Sequence, residues 1–96
     1  MITEHAILPV RAGAEKEFEQ AFERARPLIA RQRGCQRVSL SRSLESPNLY
    51  LLLVEWESVG AHTEGFRASL EYEEWKKLLH HFYEPFPIVE HFSTVG

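Results

Sequence analysis

Ninety-six residues with 44% hydrophobic and 26% charged content describe one globular domain spanning 1–96. Eleven Lys and Arg stand against fourteen Asp and Glu, a formal net charge of -3, so there is no basic stripe to neutralise phosphates and nucleic acid is not an expected partner. The longest apolar run, Leu49 to Val54, is too short to cross a bilayer, the opening MITEHAILPV lacks the basic start and long apolar core of a signal peptide, and a single cysteine, Cys35, excludes an internal disulfide. These absences predict a cytoplasmic protein.

Ile2 to Val10 reads as the first strand, with Ile2, Ala6, Leu8 and Val10 on one parity and Thr3, His5 and Ile7 on the other. Apolar residues on both parities predict a strand covered on both faces. Arg11-Ala12-Gly13 is a turn. From Ala14 to Arg33 the period becomes helical, through Phe18, Ala21, Phe22, Ala25, Leu28 and Ile29. Acidic residues gather at its start and Arg31 and Arg33 at its end, as the helix dipole favours. Pro27 is expected to kink the last two turns, and Gly34 to follow the helix as its left-handed terminator.

Cys35 to Leu44 is the second strand, with Val38 and Leu40 facing one way and Ser39 and Ser41 the other. After the turn Glu45-Ser46-Pro47-Asn48 comes the strongest strand, Leu49 to Glu57. It has Leu49, Leu51 and Leu53 on one face and Tyr50, Leu52, Val54 and Trp56 on the other. Ser58 is a good N-cap for a short helix over Val59 to Arg67. A break near Arg67 to Ser69 separates it from a longer helix over Leu70 to Phe82. Pro85 and Pro87 forbid helix over Tyr83 to Pro87, and Ile88 to Val95 is the closing strand.

The order β-α-β-β-α-β, with the second helix split, predicts an α+β, ferredoxin-like fold. Helices on one sheet face leave the other open, yet two strands are apolar on both parities. A patch of that kind is unusual on a monomer, and the expected remedy is a homodimer packed sheet on sheet about a two-fold axis.

The stretch Leu49-Tyr50-Leu51-Leu52-Leu53-Val54-Glu55-Trp56-Glu57-Ser58, followed by Ala61-His62, resembles the antibiotic biosynthesis monooxygenase family. That pattern is a hydrophobic strand ending in Glu-x-Trp-x-Ser, then a short helix carrying a histidine or aromatic. The resemblance extends over the whole chain and implies a dimeric α+β barrel whose closing strand commonly reaches toward the partner's sheet. Some members oxygenate aromatic polyketides or quinols without metal, flavin or haem. In the polyketide-oxidising members catalysis is associated with an asparagine on the third strand, a tryptophan at its end and a tyrosine six residues later. Trp56 matches the tryptophan, His62 stands in the tyrosine's place, and Leu52 replaces the asparagine. The haem-degrading branch is a poorer match, having Gly65 where it carries a short-helix tryptophan.

Oxygenation without a cofactor needs a substrate converted to an electron-rich anion in a dry apolar pocket. His62 is the candidate base, since histidine ordinarily titrates near neutrality, and a surface or capping histidine on a short helix is the alternative. Trp56 either stacks a flat substrate or closes the barrel end. Phe66, Trp75, Phe82 and Phe86 are the candidate substrate-binding walls, with core packing the competing account of each, and Tyr72 is a candidate substrate-binding donor to an oxyanion, with an exposed helix tyrosine the competing account. His5 is expected to face the cavity between sheet and helices, as a buried or substrate-binding histidine, with His91 on the last strand similar to it. His80 and His81 point about 100° apart on a helix and share no metal. Five histidines without partner spacing give no metal site, and no cofactor is expected. Arg37 and Arg42, on opposite parities, offer one anchor for an anionic ligand.

Three readings stand at this point: a cofactor-independent monooxygenase of small aromatic, polyketide or quinol substrates, a non-catalytic dimeric ligand-binding or stress-associated protein, and a cofactor-free isomerase using the same histidine.

Overall fold

Side-chain alternation sets out the sheet. Along β3 (Leu49–Trp56) the even positions Tyr50, Leu52, Val54 and Trp56 are buried and the odd ones half-buried. On β1 (Ile2–Pro9) the buried positions are Glu4, Ala6 and Leu8. The computed structural model describes residues 1–96 and adds β2 (Cys35–Arg42) and β4 (Val89–Ser93). The strands form one antiparallel sheet in the order β2-β3-β1-β4. Two helices, α1 (Glu15–Ala30) and α2 (Leu70–Leu79), pack on its even face. This is the ferredoxin-like β-α-β-β-α-β topology expected from the sequence.

The core between the layers is aromatic: Phe18, Phe22, Tyr50, Trp56 and Phe66 are all within 2% of full burial. Each such side chain contributes roughly 1.5–3 kcal/mol through the water it sheds. Phe18 is the hub, 4.8 Å from the Tyr50 ring and 6.2 Å from Phe22. The Tyr50 hydroxyl leaves the core to donate to Glu19 Oε2 at 2.6 Å.

Several boundaries differ from expectation. Helix α1 runs through Pro27 but stops at Ala30, three residues early, and residues 31–34 form turns that lead to Gly34 at φ +87°. The helix over Leu70 to Phe82 tightens at its end, with His80–Phe82 taking a 3₁₀ turn after α2. Its start is capped by the Ser69 hydroxyl, which accepts from the Tyr72 N–H at 3.2 Å.

The split piece before α2 has a further peculiarity. The Ser58 hydroxyl caps it by accepting from the Ala61 N–H at 3.1 Å. From Ala61 to Phe66 the backbone is then a π-helix, wider than an α-helix and frequent at functional sites. The Arg67 N–H closes it onto the His62 carbonyl at 3.0 Å.

The open face of the sheet is only partly polar. Ile7 is 43% exposed and Phe92 49%, with half-buried Leu51 and Leu53 between strands. In this single chain β4 lies on its own β1. No helix is long and apolar enough to cross a membrane.

Candidate active site

A cavity of about 350 Å³ lies between the even face of the sheet and the helical layer. Ala6 and Leu8 of β1, Leu52 of β3 and Ile29 of α1 form its floor and back, while Phe66, Tyr72, Trp75 and Phe86 supply aromatic walls. Of the residues expected at a site, His62, Phe66, Tyr72 and Trp75 therefore meet at one surface.

Three others do not. Trp56 is completely buried and stands behind His62, its ring stacked on the imidazole at 5.3 Å and 16°. It reaches the cavity only through its neighbours. Phe82 turns away to pack on Phe18 at 5.7 Å, and the next residue, Tyr83, lines the cavity instead. The 3₁₀ turn and the return of the chain onto β1, where Arg11 N–H donates to the Phe82 carbonyl and Glu84 N–H to Pro9, cause this rotation. His5 lies on the opposite side of the sheet. Its parity is that of Ile7, and its ring meets Phe92 edge-on at 5.3 Å. The residue that β1 sends toward the cavity is its neighbour Glu4.

Glu4 is the unexpected feature. It is 4% exposed, on the strand parity otherwise occupied by Ala6 and Leu8. Its Oε1 accepts a hydrogen bond from the Trp56 indole N–H at 2.9 Å and lies 3.4 Å from His62 Nε2. The other ring nitrogen, His62 Nδ1, is 2.8 Å from Nε2 of His91. Strand register brings these groups together. Glu4 and His91 are direct cross-strand partners on β1 and β4, so both side chains share one face, and the π-helical segment lays His62 across them.

The Glu4–His62 separation would suit an ion pair, but both groups are out of water. Burial raises the Glu4 carboxyl above its ordinary range, against the opposing pull of the Trp56 hydrogen bond and the Arg67 charge. Burial, with Arg67 and then His91, lowers His62 to about 3. The two directions agree: the uncharged imidazole is favoured over the imidazolium, because desolvating two charges costs more than their attraction returns. His91 is lowered by burial and by Arg67, and His80, also lining the cavity, by burial and by Lys76.

Arg67 is the only Lys or Arg side chain among the cavity residues. Arg37 and Arg42, one of which was the candidate anion anchor, both lie elsewhere and are exposed. Arg42 faces Glu19 and the Tyr50 ring, and Arg37 sits in a shallow hollow with Thr3 and Glu55. No three His, Cys, Asp or Glu side chains converge as a metal centre requires. Chemically, the arrangement can hold a flat apolar ring, move a proton at the Glu4–His62 pair and face an anion with Arg67.

Glu4 and Arg67 escape a reading for periodicity, which follows apolar residues. The signal in the sequence was a lone acid on the core parity of β1, one place from the histidine that drew attention.

A family model described as "Antibiotic biosynthesis monooxygenase" matches residues 1–78. YczJ of Bacillus subtilis (strain 168), a protein without an assigned role, is 55% identical over 95 residues, covering 99% of this chain and all of that one. A solved Bordetella bronchiseptica protein, assigned as an antibiotic biosynthesis monooxygenase, is 42% identical, covers 98% of this chain and 96% of its own, and superposes with a TM-score of 0.92. SnoaB of Streptomyces nogalater, a cofactor-independent oxygenase solved as a single-residue mutant, is 25% identical over 97% of this chain and 91% of its own, with a TM-score of 0.84.

Proposed function

The chain belongs to the antibiotic biosynthesis monooxygenase family, and from that premise we propose that it is a cofactor-independent monooxygenase of small aromatic, polyketide or quinol substrates, acting as a homodimer in the cytoplasm. The observation that carries this reading is the Glu4–His62 acid–base pair set into the wall of an aromatic cavity.

Triplet oxygen reacts poorly with closed-shell molecules, so the protein's task is to make and hold an anion. A flat substrate lies against Phe66 and Trp75, with Tyr72 at its edge. The Glu4–His62 pair takes its proton. Trp56 acts as a positioning residue, stacking His62 and fixing Glu4 by its indole N–H. Arg67 stabilises the anion electrostatically. The anion passes one electron to oxygen, the radical pair recombines as a peroxide, and the stored proton returns to it. For an activated CH₂ group the sum is R₂CH₂ + O₂ giving R₂C=O and H₂O.

The half-apolar open face supports the dimer, since a second sheet would cover Ile7, Leu51, Leu53 and Phe92. One observation favours a second reading. Leu52 leaves the cavity without the asparagine found in polyketide-oxidising members, and the same pair could move a proton within a substrate as an isomerase. A protein that only binds its ligand is the limiting case.

Oxygen uptake by the metal-stripped protein, against dihydroxynaphthalenes, anthrones and quinols, tests the proposal. Uptake above the spontaneous rate, undiminished by chelator and at least about tenfold lower in His62→Ala, is the expected result. Substrate conversion without oxygen consumption would replace it with the isomerase reading.

A further inference from the structure

The mechanism above uses Glu4 and His62 but leaves His91 idle, although His91 makes the shortest contact of the group. His62 Nδ1 is at hydrogen-bond distance from His91, while Nε2 lies 3.4 Å from Glu4 Oε1, an approach that must shorten slightly before a proton can cross it. His91 in turn stands on β4, the edge strand of the sheet, and is half-buried. Its remaining nitrogen, Nδ1, has no partner in the protein, and no buried side-chain nitrogen or oxygen of the chain is left unpaired, so Nδ1 meets solvent. The three groups are therefore strung in a line from the cavity to the outside. The His62–His91 nitrogens point at each other at hydrogen-bond distance, not at a common centre.

This line matters because of where Glu4 sits. Its side chain is 5% exposed, and a substrate filling the cavity would cover what remains. With the mouth occupied, the acid–base pair would have no contact with water from the cavity side.

We infer that His91 is the outer end of a proton route running Glu4–His62–His91, which charges and discharges the acid–base pair through the wall of the cavity while the substrate is in place. The inference rests on the proposed function for its use, but the route itself is a property of the unliganded protein.

Hydrogen-bond chemistry fixes how such a route must work. A bond between two neutral imidazoles needs one N–H and one bare nitrogen. In the first state Glu4 is a carboxylate, His62 carries its proton on Nε2 and donates to Glu4, and His91 carries its proton on Nε2 and donates to His62 Nδ1. In the second state Glu4 is protonated and donates to His62 Nε2, His62 carries its proton on Nδ1 and donates to His91 Nε2, and His91 carries its proton on Nδ1. The second state has one proton more. That proton enters or leaves at His91 Nδ1 while the two hydrogen bonds of the line reverse direction together, and neither imidazole becomes charged on the way.

The surroundings favour this neutral traffic. Arg67, which ends the π-helical segment, acts on all three members and disfavours an imidazolium at His62 or His91. The other titratable groups facing Glu4 are Cys35 of β2 and Tyr83 beyond α2, both held in their neutral forms by burial. Trp56 offers Glu4 a donor in either state. Glu90, next to His91, falls on the opposite strand parity.

The competing account makes the His62–His91 bond a static staple that holds the edge strand to the helical layer. Nitrogen-15 NMR of the histidine-labelled, substrate-free protein separates the two, because it reads which ring nitrogen carries the proton. A carbon-13 label on the Glu4 carboxyl follows its ionisation in the same titration. The expected result is coupling across the bond between His62 Nδ1 and His91 Nε2, and a joint exchange of tautomer in both rings at the pH where Glu4 titrates. A His62 that keeps one tautomer while Glu4 titrates, or a His91 that becomes imidazolium alone in that transition, would overturn the route and leave the staple. No substrate is involved, so failed oxygenation with intact switching sinks the reaction and not the route, and the converse also holds.

Discussion

Replacing His62 by phenylalanine measures how strongly the interior refuses a charge. Phenylalanine keeps a flat ring against Trp56 but cannot take a proton. In the native chain His62 falls from 6.5 to about 3 on folding, with a side chain 3% exposed. A lowered histidine contributes stability that is complete above its unfolded value and lost as pH falls toward the folded one, since the unfolded chain takes up a proton the folded chain does not. Between about pH 6 and about pH 4 these two values imply a loss of about 2.5 kcal/mol attributable to His62. That is a substantial share of the roughly 5–15 kcal/mol that holds a domain together. Urea unfolding at a series of pH values, at one fixed protein concentration because association would add its own term, should show the native chain losing this much more stability than His62→Phe. Glu4 works in the opposite sense. Its raised carboxyl costs stability above its folded value and recovers it in acid, so the comparison should be repeated with Glu4→Gln in both chains. A difference between the two proteins that stays flat over this range would refute the reasoning, and would mean that His62 accepts its proton inside the fold as the partner of a Glu4 carboxylate.

Trp56→Phe retains the stack on His62 but removes the only N–H that Glu4 Oε1 receives from the indole. The expected cost is about 1–3 kcal/mol from the lost hydrogen bond to a buried carboxyl, with the Glu4 carboxyl displaced further upward in a carbon-13 NMR titration. Gly34→Ala places a methyl at φ +87° and 2.8 Å from the Ala61 Cβ. The backbone alone costs about 1–2 kcal/mol there, and the clash at the start of the π-helical segment adds to it, which a lowered urea midpoint would show. Ile7→Glu on the open face should convert a dimer to monomer in light scattering while leaving far-ultraviolet circular dichroism unchanged. A native chain that is monomeric at micromolar concentration removes the sheet-on-sheet dimer from the proposal.

The order of elements was legible because their boundaries are local. Gly13, Gly34, Ser58 and the two late prolines punctuate the chain where the fold turns, and alternation on β3 grouped together the four residues, Tyr50, Leu52, Val54 and Trp56, that share the buried face. Parity on β1 was harder. Alternation says which residues share a face but not which face is covered, and with Ile7 and His5 opposing Ala6 and Leu8 the strand looked equally apolar both ways. Glu4 broke the pattern on the covered side, so the histidine beside it drew the functional reading. The contact of His62 with Glu4 and His91 depends on the register of three strands and on the extra width of one helical turn, neither of which a linear spacing reports. Phe82 left the cavity wall for a similar reason, since the 3₁₀ turn His80–Phe82 advances its side chains by a larger angle than the α-helix expected over Leu70 to Phe82.

The widened turn at Ala61–Phe66 has a consequence for how this site could diverge. A π-helix amounts to an α-helix that has absorbed one additional residue, and here that residue lets Arg67 close directly onto the His62 carbonyl while both face the cavity. Were the segment to tighten to ordinary helical pitch with its length unchanged, everything after it would swing by about 100°. Arg67 would leave the wall and the acid–base pair would lose its one cationic neighbour, with no chemical group of the pair itself altered. The electrostatic character of the cavity is thus set by the pitch of a six-residue segment, and a change that tightens this turn is a path to new chemistry that touches none of the residues that would perform it.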